Sequence, residues 1–166
     1  TDQGDFEGAK YYLQLGLELA AQTGNVTGQA SLLANLGRVY RTLGDLDSSI
    51  THLESGYAIS KSLGNQYVEA TSLLNLAMTR QAQGDLEKAA LLYNEVLVLS
   101  RQNNLQSIEC YALTGLAELV NEGQPTLAQK YSSEAVELAE SIKSPDLIKH
   151  VNRLKQKLQN VDVNEK

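Results

Sequence analysis

The sequence predicts an all-α protein, a solenoid of about eight helices arranged as antiparallel pairs. The tripeptide Gly44-Asp45-Leu46 returns 40 residues later as Gly84-Asp85-Leu86, and the chain opens with the related Gly4-Asp5-Phe6. Apolar residues between these tripeptides recur three and four positions apart, which is the spacing of one face of a helix. The composition also suits helices, with two prolines and no tryptophan in 166 residues. A fixed period of this length is the signature of a repeat protein.

The recurring tripeptides are predicted to be turns that join the two helices of one repeat. Glycine tolerates a left-handed backbone, and aspartate can cap the N-terminus of the following helix. Gly24, Gly64 and Asn104 mark the junctions between repeats, again 40 residues apart. Asparagine is the usual replacement for glycine at a left-handed helix end, so we expect positive φ at all three positions. In the last repeat, Glu122-Gly123-Gln124-Pro125 replaces the Gly-Asp turn.

Small residues recur where the helices are predicted to approach closely. One such position lies seven residues before the turn glycine and holds Gly37 and Ala77, with Ala117 at the equivalent place in the last repeat. A second position lies five residues after the turn glycine and holds Ala9, Ser49, Ala89 and Ala128. Short side chains at both positions favour tight packing of one helix on the next.

The two ends of the sequence are predicted to differ. The first helix is expected to run from about Phe6 to Gln22 and to leave Phe6, Leu13 and Leu17 partly uncovered, because the chain starts at a turn. We interpret this as a fragment of a longer array or as a face for self-association. At the other end, Ser144-Pro145-Asp146 starts a helix whose Lys155 stands where earlier repeats have a small residue. This helix is therefore predicted to be a solvated cap.

The segment LANLGRVYRTLGDLDSSI, residues 33–50, resembles the tetratricopeptide repeat family in its leucine-glycine, tyrosine and turn-glycine spacing. The 40-residue period is similar to the long-helix branch of the family, found in kinesin light chains, Pins-type spindle adaptors and bacterial signalling regulators and peptide receptors. The resemblance implies a right-handed superhelix in one domain, residues 1–160. It divides into a half repeat (1–25), three repeats (26–65, 66–104 and 105–143) and a capping helix (144–160), with a flexible tail at 161–166.

The resemblance also implies a concave groove lined by the first helix of each repeat. Asn35 and Asn75 share one position in successive repeats, where amides could grip a peptide backbone or could bond to the neighbouring helix. A neighbouring position holds Arg38, Met78 and Glu118, which predicts a groove graded from basic to acidic, with ordinary solvated surface as the alternative. The predicted partner-binding residues are Ser31, Asn35, Arg38, Arg41, Thr42, Thr71, Leu74, Asn75, Met78, Gln81, Tyr111, Thr114, Glu118 and Asn121.

Other chemically interesting residues favour structural roles. Arg80 takes a packing position and is expected to keep its guanidinium in solvent or on an acid. Cys110 aligns with Ala30 and Ala70 and is expected to be a small buried hydrophobe. Neither His52 nor His150 belongs to a recognisable catalytic or metal-binding motif, so no catalytic residue, metal or cofactor is predicted.

The predicted function is non-catalytic recognition of a peptide or protein segment, as a module of a larger regulatory or adaptor protein. The alternative is self-association, with a homodimer formed through the N-terminal helix. A net charge of −6 argues against nucleic-acid and anionic-membrane partners, although the stretch from Lys143 to Leu158 has five basic residues and one acid. Without an apolar run long enough to span a membrane, and with a single cysteine, the protein is expected to be soluble and cytoplasmic.

Overall fold

The computed structural model describes the backbone of residues 2–161 and the side chains of residues 5–158. This part of the chain forms eight α-helices and no strand, so the predicted all-α class of paired helices is confirmed. The helices are α1 (Asp2–Gln22), α2 (Val26–Leu43), α3 (Leu46–Ser62), α4 (Gln66–Ala82), α5 (Leu86–Gln102), α6 (Gln106–Val120), α7 (Pro125–Ile142) and α8 (Pro145–Val161).

The helices group into two compact units. The first extends to Leu92, and its helices α1 to α4 pack consecutively, with α2 also on α4. The second begins at Tyr93, and in it α6 packs on α7 while α8 packs on both. The division into repeats within a single domain stays a prediction. Helix α8 continues through Val161, and the remainder of the predicted tail, residues 162–166, lies outside the described residues.

The predicted turn chemistry is confirmed. Gly44 and Gly84 have φ of +87° and +83°, and Asn104 takes the same left-handed region at +55°. The carboxylate of Asp45 accepts a hydrogen bond from the Ser48 N–H at 3.1 Å and thereby caps α3. Two further caps were not predicted: the Asn25 and Asn65 side chains accept from backbone N–H groups at the starts of α2 and α4. Aspartate and asparagine therefore alternate as the caps of α2, α3 and α4.

The predicted turn at Gly4-Asp5-Phe6 is wrong, because α1 already begins at Asp2. At the other Gly-Asp turns the aspartate N–H donates to a carbonyl five residues upstream, as Asp45 does to Tyr40 and Asp85 does to Arg80. Gly4 and Asp5 instead lie inside α1, and because glycine also accepts a right-handed helical backbone, the dipeptide by itself does not impose a turn.

A small residue at position 37 allows α2 and α3 to meet. A Cβ at Gly37 would overlap the Leu53 side chain, which is fully buried. Beside it, the Ser49 hydroxyl donates to the Gly37 carbonyl at 2.7 Å and lies 3.0 Å from the Thr79 hydroxyl of α4. Two buried hydroxyl groups thus link three helices in the first unit, with their hydrogen-bonding needs met internally.

The second unit has an equivalent close approach. Tyr93 is buried, and its ring occupies the space that a Cβ at Gly115 would need. Elsewhere in the same unit, Leu154 and Leu158 of α8 cluster with Ala117 of α6 and Tyr131 of α7. Gly115 is therefore required by the packing of α5 on α6.

Substituting Gly115 by alanine is expected to destabilise the protein by about 1 to 3 kcal/mol, because the new methyl group overlaps a buried ring. The free energy of unfolding from urea titration measures this. Gly8→Ala is the matched control: a Cβ there meets nothing within 4 Å, and alanine is the better helix former. In a Tyr93→Leu background the Gly115→Ala penalty should largely disappear. An undiminished penalty in that background would contradict the proposed clash.

Candidate partner-binding faces

The α2 and α4 helices of the first unit carry ten of the residues predicted to contact a partner. Asn35, Arg38 and Thr42 of α2 are exposed. The partly exposed members are Ser31, Arg41, Thr71, Met78 and Gln81. Leu74 and Asn75 are buried, so they offer little surface to a partner. We call the eight accessible residues the α2/α4 face.

Asn75 connects the two helices of this face. Its Nδ2 group donates to the Thr71 carbonyl at 2.9 Å, which turns Oδ1 toward α2. There the Arg41 Nη2 group donates to Oδ1 at 3.4 Å. Of the two roles considered for this amide, the structure shows the bond to the neighbouring helix. The Asn35 amide, one repeat earlier, remains exposed.

The hydroxyl groups of the α2/α4 face are turned to their own helices. Ser31 donates to the Thr27 carbonyl at 3.3 Å, Thr42 to Arg38 at 3.0 Å and Thr71 to Tyr67 at 2.8 Å. Each bond runs to the residue four positions earlier, the common local pattern for such side chains in helices. The outward hydrogen-bond donors of the face are therefore the arginine and amide N–H groups.

In the second unit, α8 reaches the predicted residues of α6. The Thr114 hydroxyl is buried and donates to the Tyr111 carbonyl at 2.8 Å, so its oxygen accepts from Nε2 of His150 at 3.0 Å. The His150 ring also lies 4.8 Å from the Tyr111 ring. These contacts fix one side of α8 against α6. Thr114 consequently serves the packing of the unit and presents little surface to a partner.

Glu118, the predicted acidic end of the groove, forms an ion pair with Lys157 at 3.1 Å. The acidity expected at this position is thus offset by a lysine from α8. Asn121 is partly exposed at the end of α6. The sequence predicted α8 to be a solvated cap, so the contacts of His150 with Thr114 and of Lys157 with Glu118 were missed. The spacing of seven residues, which places His150 and Lys157 on one helix face, was the available signal.

Burial lowers the pKa of His150 below its ordinary value. The Glu118 carboxylate opposes this effect, and the Arg153 guanidinium adds to it. The pKa of His150 is lowered overall because half-burial between α6 and α8 removes water that would solvate an imidazolium. Because the Thr114 hydroxyl donates to the Tyr111 carbonyl, the ring contributes to this contact by donating through Nε2.

Two further expectations, for Cys110 and Arg80, agree with the structure. Cys110 is fully buried, and burial raises the pKa of its thiol to about 11, which removes thiolate reactivity at neutral pH. Arg80 reaches Glu54 at 3.5 Å and Gln83 at 3.2 Å from a largely buried stem. His52 is partly buried and lies against the Tyr40 ring, 4.9 Å between centroids.

Within the described residues, no group of three or more histidine, cysteine, aspartate or glutamate side chains is arranged to hold a metal ion. In the same part of the chain, none of the helices combines the length and apolar character needed to cross a membrane.

Comparison with known proteins decides the family. The sequence profile described as tetratricopeptide repeat matches residues 1–62 and 29–102, more than half of the chain. The chain belongs to the tetratricopeptide repeat family. The family resemblance predicted from residues 33–50 is therefore confirmed. Tetratricopeptide repeats are generally protein–protein interaction modules, and proteins of this family are typically non-enzymatic scaffolds.

Solved structures support the same assignment for the fold. The crystal structure of BtubC (BKLC) from P. vanneervenii superposes with a TM-score of 0.77 at 17% sequence identity. The match covers 95% of this chain and 66% of that one, so this tetratricopeptide repeat chain spans about two thirds of its structural neighbour. The similarity confirms the TPR-like class of the fold. Comparison with curated proteins found no match.

The lowered pKa of His150 predicts a pH-dependent stability. As the pH falls below about 6.5, the unfolded chain binds a proton at this residue that the folded protein resists, so the folded state loses stability. Denaturant titrations between about pH 7.5 and pH 5.5 should show a steeper loss for the wild type than for His150→Gln, which keeps a donor for Thr114. Other groups titrate in both proteins and cancel in the difference. Parallel curves for the wild type and His150→Gln would refute the prediction.

Proposed function

We propose that this chain is a non-catalytic module that binds a peptide or protein segment on the α2/α4 face, within a larger regulatory or adaptor protein. The observation that carries the proposal is the exposure of Asn35 and Arg38 beside the partly exposed Met78. A polar amide, a cation and an apolar side chain on neighbouring helices offer the mixed contacts that a protein segment uses. Tetratricopeptide repeats are generally protein–protein interaction modules, which supports the same proposal.

The rigidity of this face also supports the proposal. The Arg41 to Asn75 bond ties α2 to α4, and the buried hydroxyls of Ser49 and Thr79 tie α3 to α4 behind them. Because these helices are already joined, binding of a segment does not have to bring α2 and α4 together. The α6 residues Tyr111, Glu118 and Asn121 are proposed as a second contact surface, in the second unit.

We further propose that the chain lacks enzymatic activity and acts in the cytoplasm. The buried Cys110 thiol and the packed His150 ring have structural partners, which favours structural roles for both. A single buried thiol suits a reducing compartment.

If the α2/α4 face binds a partner, an Asn35→Ala, Arg38→Glu double variant is expected to lose that partner. The variant should stay folded, because both side chains are exposed and neither is part of the core. Affinity purification from native lysate, read by mass spectrometry, compares this variant with the wild type. Partners of the face should fall at least about fivefold in recovery.

Arg80→Glu serves as the charge control, since it changes the net charge as much as Arg38→Glu does and Arg80, which binds Glu54 and Gln83, is not among the residues of the α2/α4 face. Circular dichroism verifies the fold of each variant. Equal recovery of every protein by the wild type and the double variant would exclude the α2/α4 face as the binding surface.

Self-association is the second candidate function, and one observation favours it. Tyr11, Tyr12, Leu15 and Leu19 of α1 are exposed, with Tyr12 at 72% and Leu19 at 60%. These are more exposed than Phe6, Leu13 and Leu17, which are partly covered as the sequence predicted. Four large apolar or aromatic side chains on one helix are a potential interface.

Leu15→Glu with Leu19→Glu is expected to leave the fold intact and to abolish any dimer, because two charges would be buried in the contact. Sedimentation equilibrium over a range of concentrations measures the mass of the wild type and the variant. Leu13→Glu is a poor test, since Leu13 is partly buried in the fold. A wild type that stays monomeric at all concentrations would rule out the homodimer.

A further inference from the structure

The charge of the α2/α4 face is opposite to that of the chain. The sequence has 20 acidic and 14 basic residues, but α2 contains two arginines and no acidic residue. Both arginines, Arg38 and Arg41, belong to the α2/α4 face. Helix α4 carries one acid, Glu69, and one base, Arg80, neither of them among the residues of this face. Every charged residue of the face is therefore a cation.

The hydrogen-bonding groups of the face match its charge. Its three hydroxyl hydrogens are directed to backbone carbonyls of the same helices. The exposed Arg38 guanidinium and the exposed Asn35 amide lie three residues apart on α2, so both can meet one ligand group. Donors of this kind favour a ligand rich in acceptors, and a carboxylate accepts the planar arginine group with two bonds.

The second arginine is held in place by the protein. Arg41 is partly exposed and donates to the Asn75 amide of α4. The side chain loses some of its conformational freedom before any ligand arrives, which reduces the entropy lost on binding. Arg38 and Arg41 thus place two positive charges about one helical turn apart on α2, and the second of them is held by α4.

Acidic residues of the same unit collect at a different place. Asp45, Asp47 and Asp85 line an open groove at the two Gly-Asp turns, together with Gln83. Two of these carboxylates cap helices, as Asp45 does for Ser48 and Asp85 does for Lys88. Asp85 is also paired with the Lys88 ammonium at 3.0 Å, so the negative charge at the turns comes chiefly from Asp45 and Asp47. These two carboxylates disfavour a negatively charged ligand at the turns, whereas the arginines favour it at α2. This separation of charge within one unit favours one position for the ligand.

We propose that the α2/α4 face binds an acidic protein segment, one whose aspartate or glutamate side chains engage Arg38 and Arg41. The inference rests on the proposed function, because it names the chemistry of the partner for the same face. It replaces the graded groove predicted from sequence, in which Glu118 would have required a basic group in the ligand; that carboxylate is engaged by Lys157.

The test is a selection of random displayed peptides about 12 residues long on the immobilised chain at low ionic strength. We expect the selected peptides to contain more aspartate and glutamate than the starting library. Counter-selection on Arg38→Glu should remove this excess. One selected peptide, labelled with fluorescein, then gives affinities by anisotropy for the wild type and for two single variants.

Arg38→Gln is expected to weaken binding of that peptide about fivefold, and added salt should weaken the wild type more steeply than the variant. Arg80→Gln, which removes an equal charge outside the α2/α4 face, should leave the affinity unchanged. A loss of affinity with Arg80→Gln equal to that with Arg38→Gln would show a general charge effect and would overturn the inference.

The remaining outcomes separate this inference from the proposed function. Peptides that depend on Asn35 and Arg38 but show no excess of acidic residues would overturn the acidic partner and leave the binding face standing. A selection that yields no peptide dependent on either residue would overturn both.

Discussion

Contact between the paired helices depends on positions where a side chain would not fit. Gly37 of α2 leaves room for the Leu53 side chain of α3. Gly115 of α6 likewise leaves room for the Tyr93 ring of α5. Among the glycines whose surroundings are described, these two leave the least room for an added Cβ. Close packing of one helix on another fixes the rotation of both about their axes. The residues that pack inward therefore decide which residues of the same helix face outward.

Polar contacts then join helices that are not consecutive in the chain. Arg41 and Asn75 connect α2 with α4, while His150 and Lys157 connect α8 with Thr114 and Glu118 of α6. The same helix face that could meet a partner is therefore also the face that holds the next helix. Residues near the edge of that face serve packing, and residues at its centre, such as Asn35 and Arg38, remain exposed.

The positions of the turns could be read from the sequence because glycine, asparagine and aspartate act through their own local backbone. Positive φ at Gly44 and Asn104 and the cap at Asp45 need only a few neighbouring residues. The turn predicted at Gly4-Asp5 shows the limit of this rule, since α1 includes both residues and glycine is also compatible with a right-handed helix. The partner-binding set was harder to predict, because helical spacing shows which residues share a face but not which of them a neighbouring helix will cover.

The sequence by itself determined the helical class, the turns at Gly44, Gly84 and Asn104, and membership of the tetratricopeptide repeat family, because these depend on local backbone preference and on apolar spacing. Only the tertiary structure decided that Leu74, Asn75 and Thr114 lie buried and that Lys157 engages Glu118. Burial and ion pairing of this kind depend on distances between helices that are far apart in sequence, so they cannot be predicted from local sequence patterns. The cationic character of the α2/α4 face depends on both. The sequence places two arginines and no acid on α2, and the fold separates them from the aspartates at the turns.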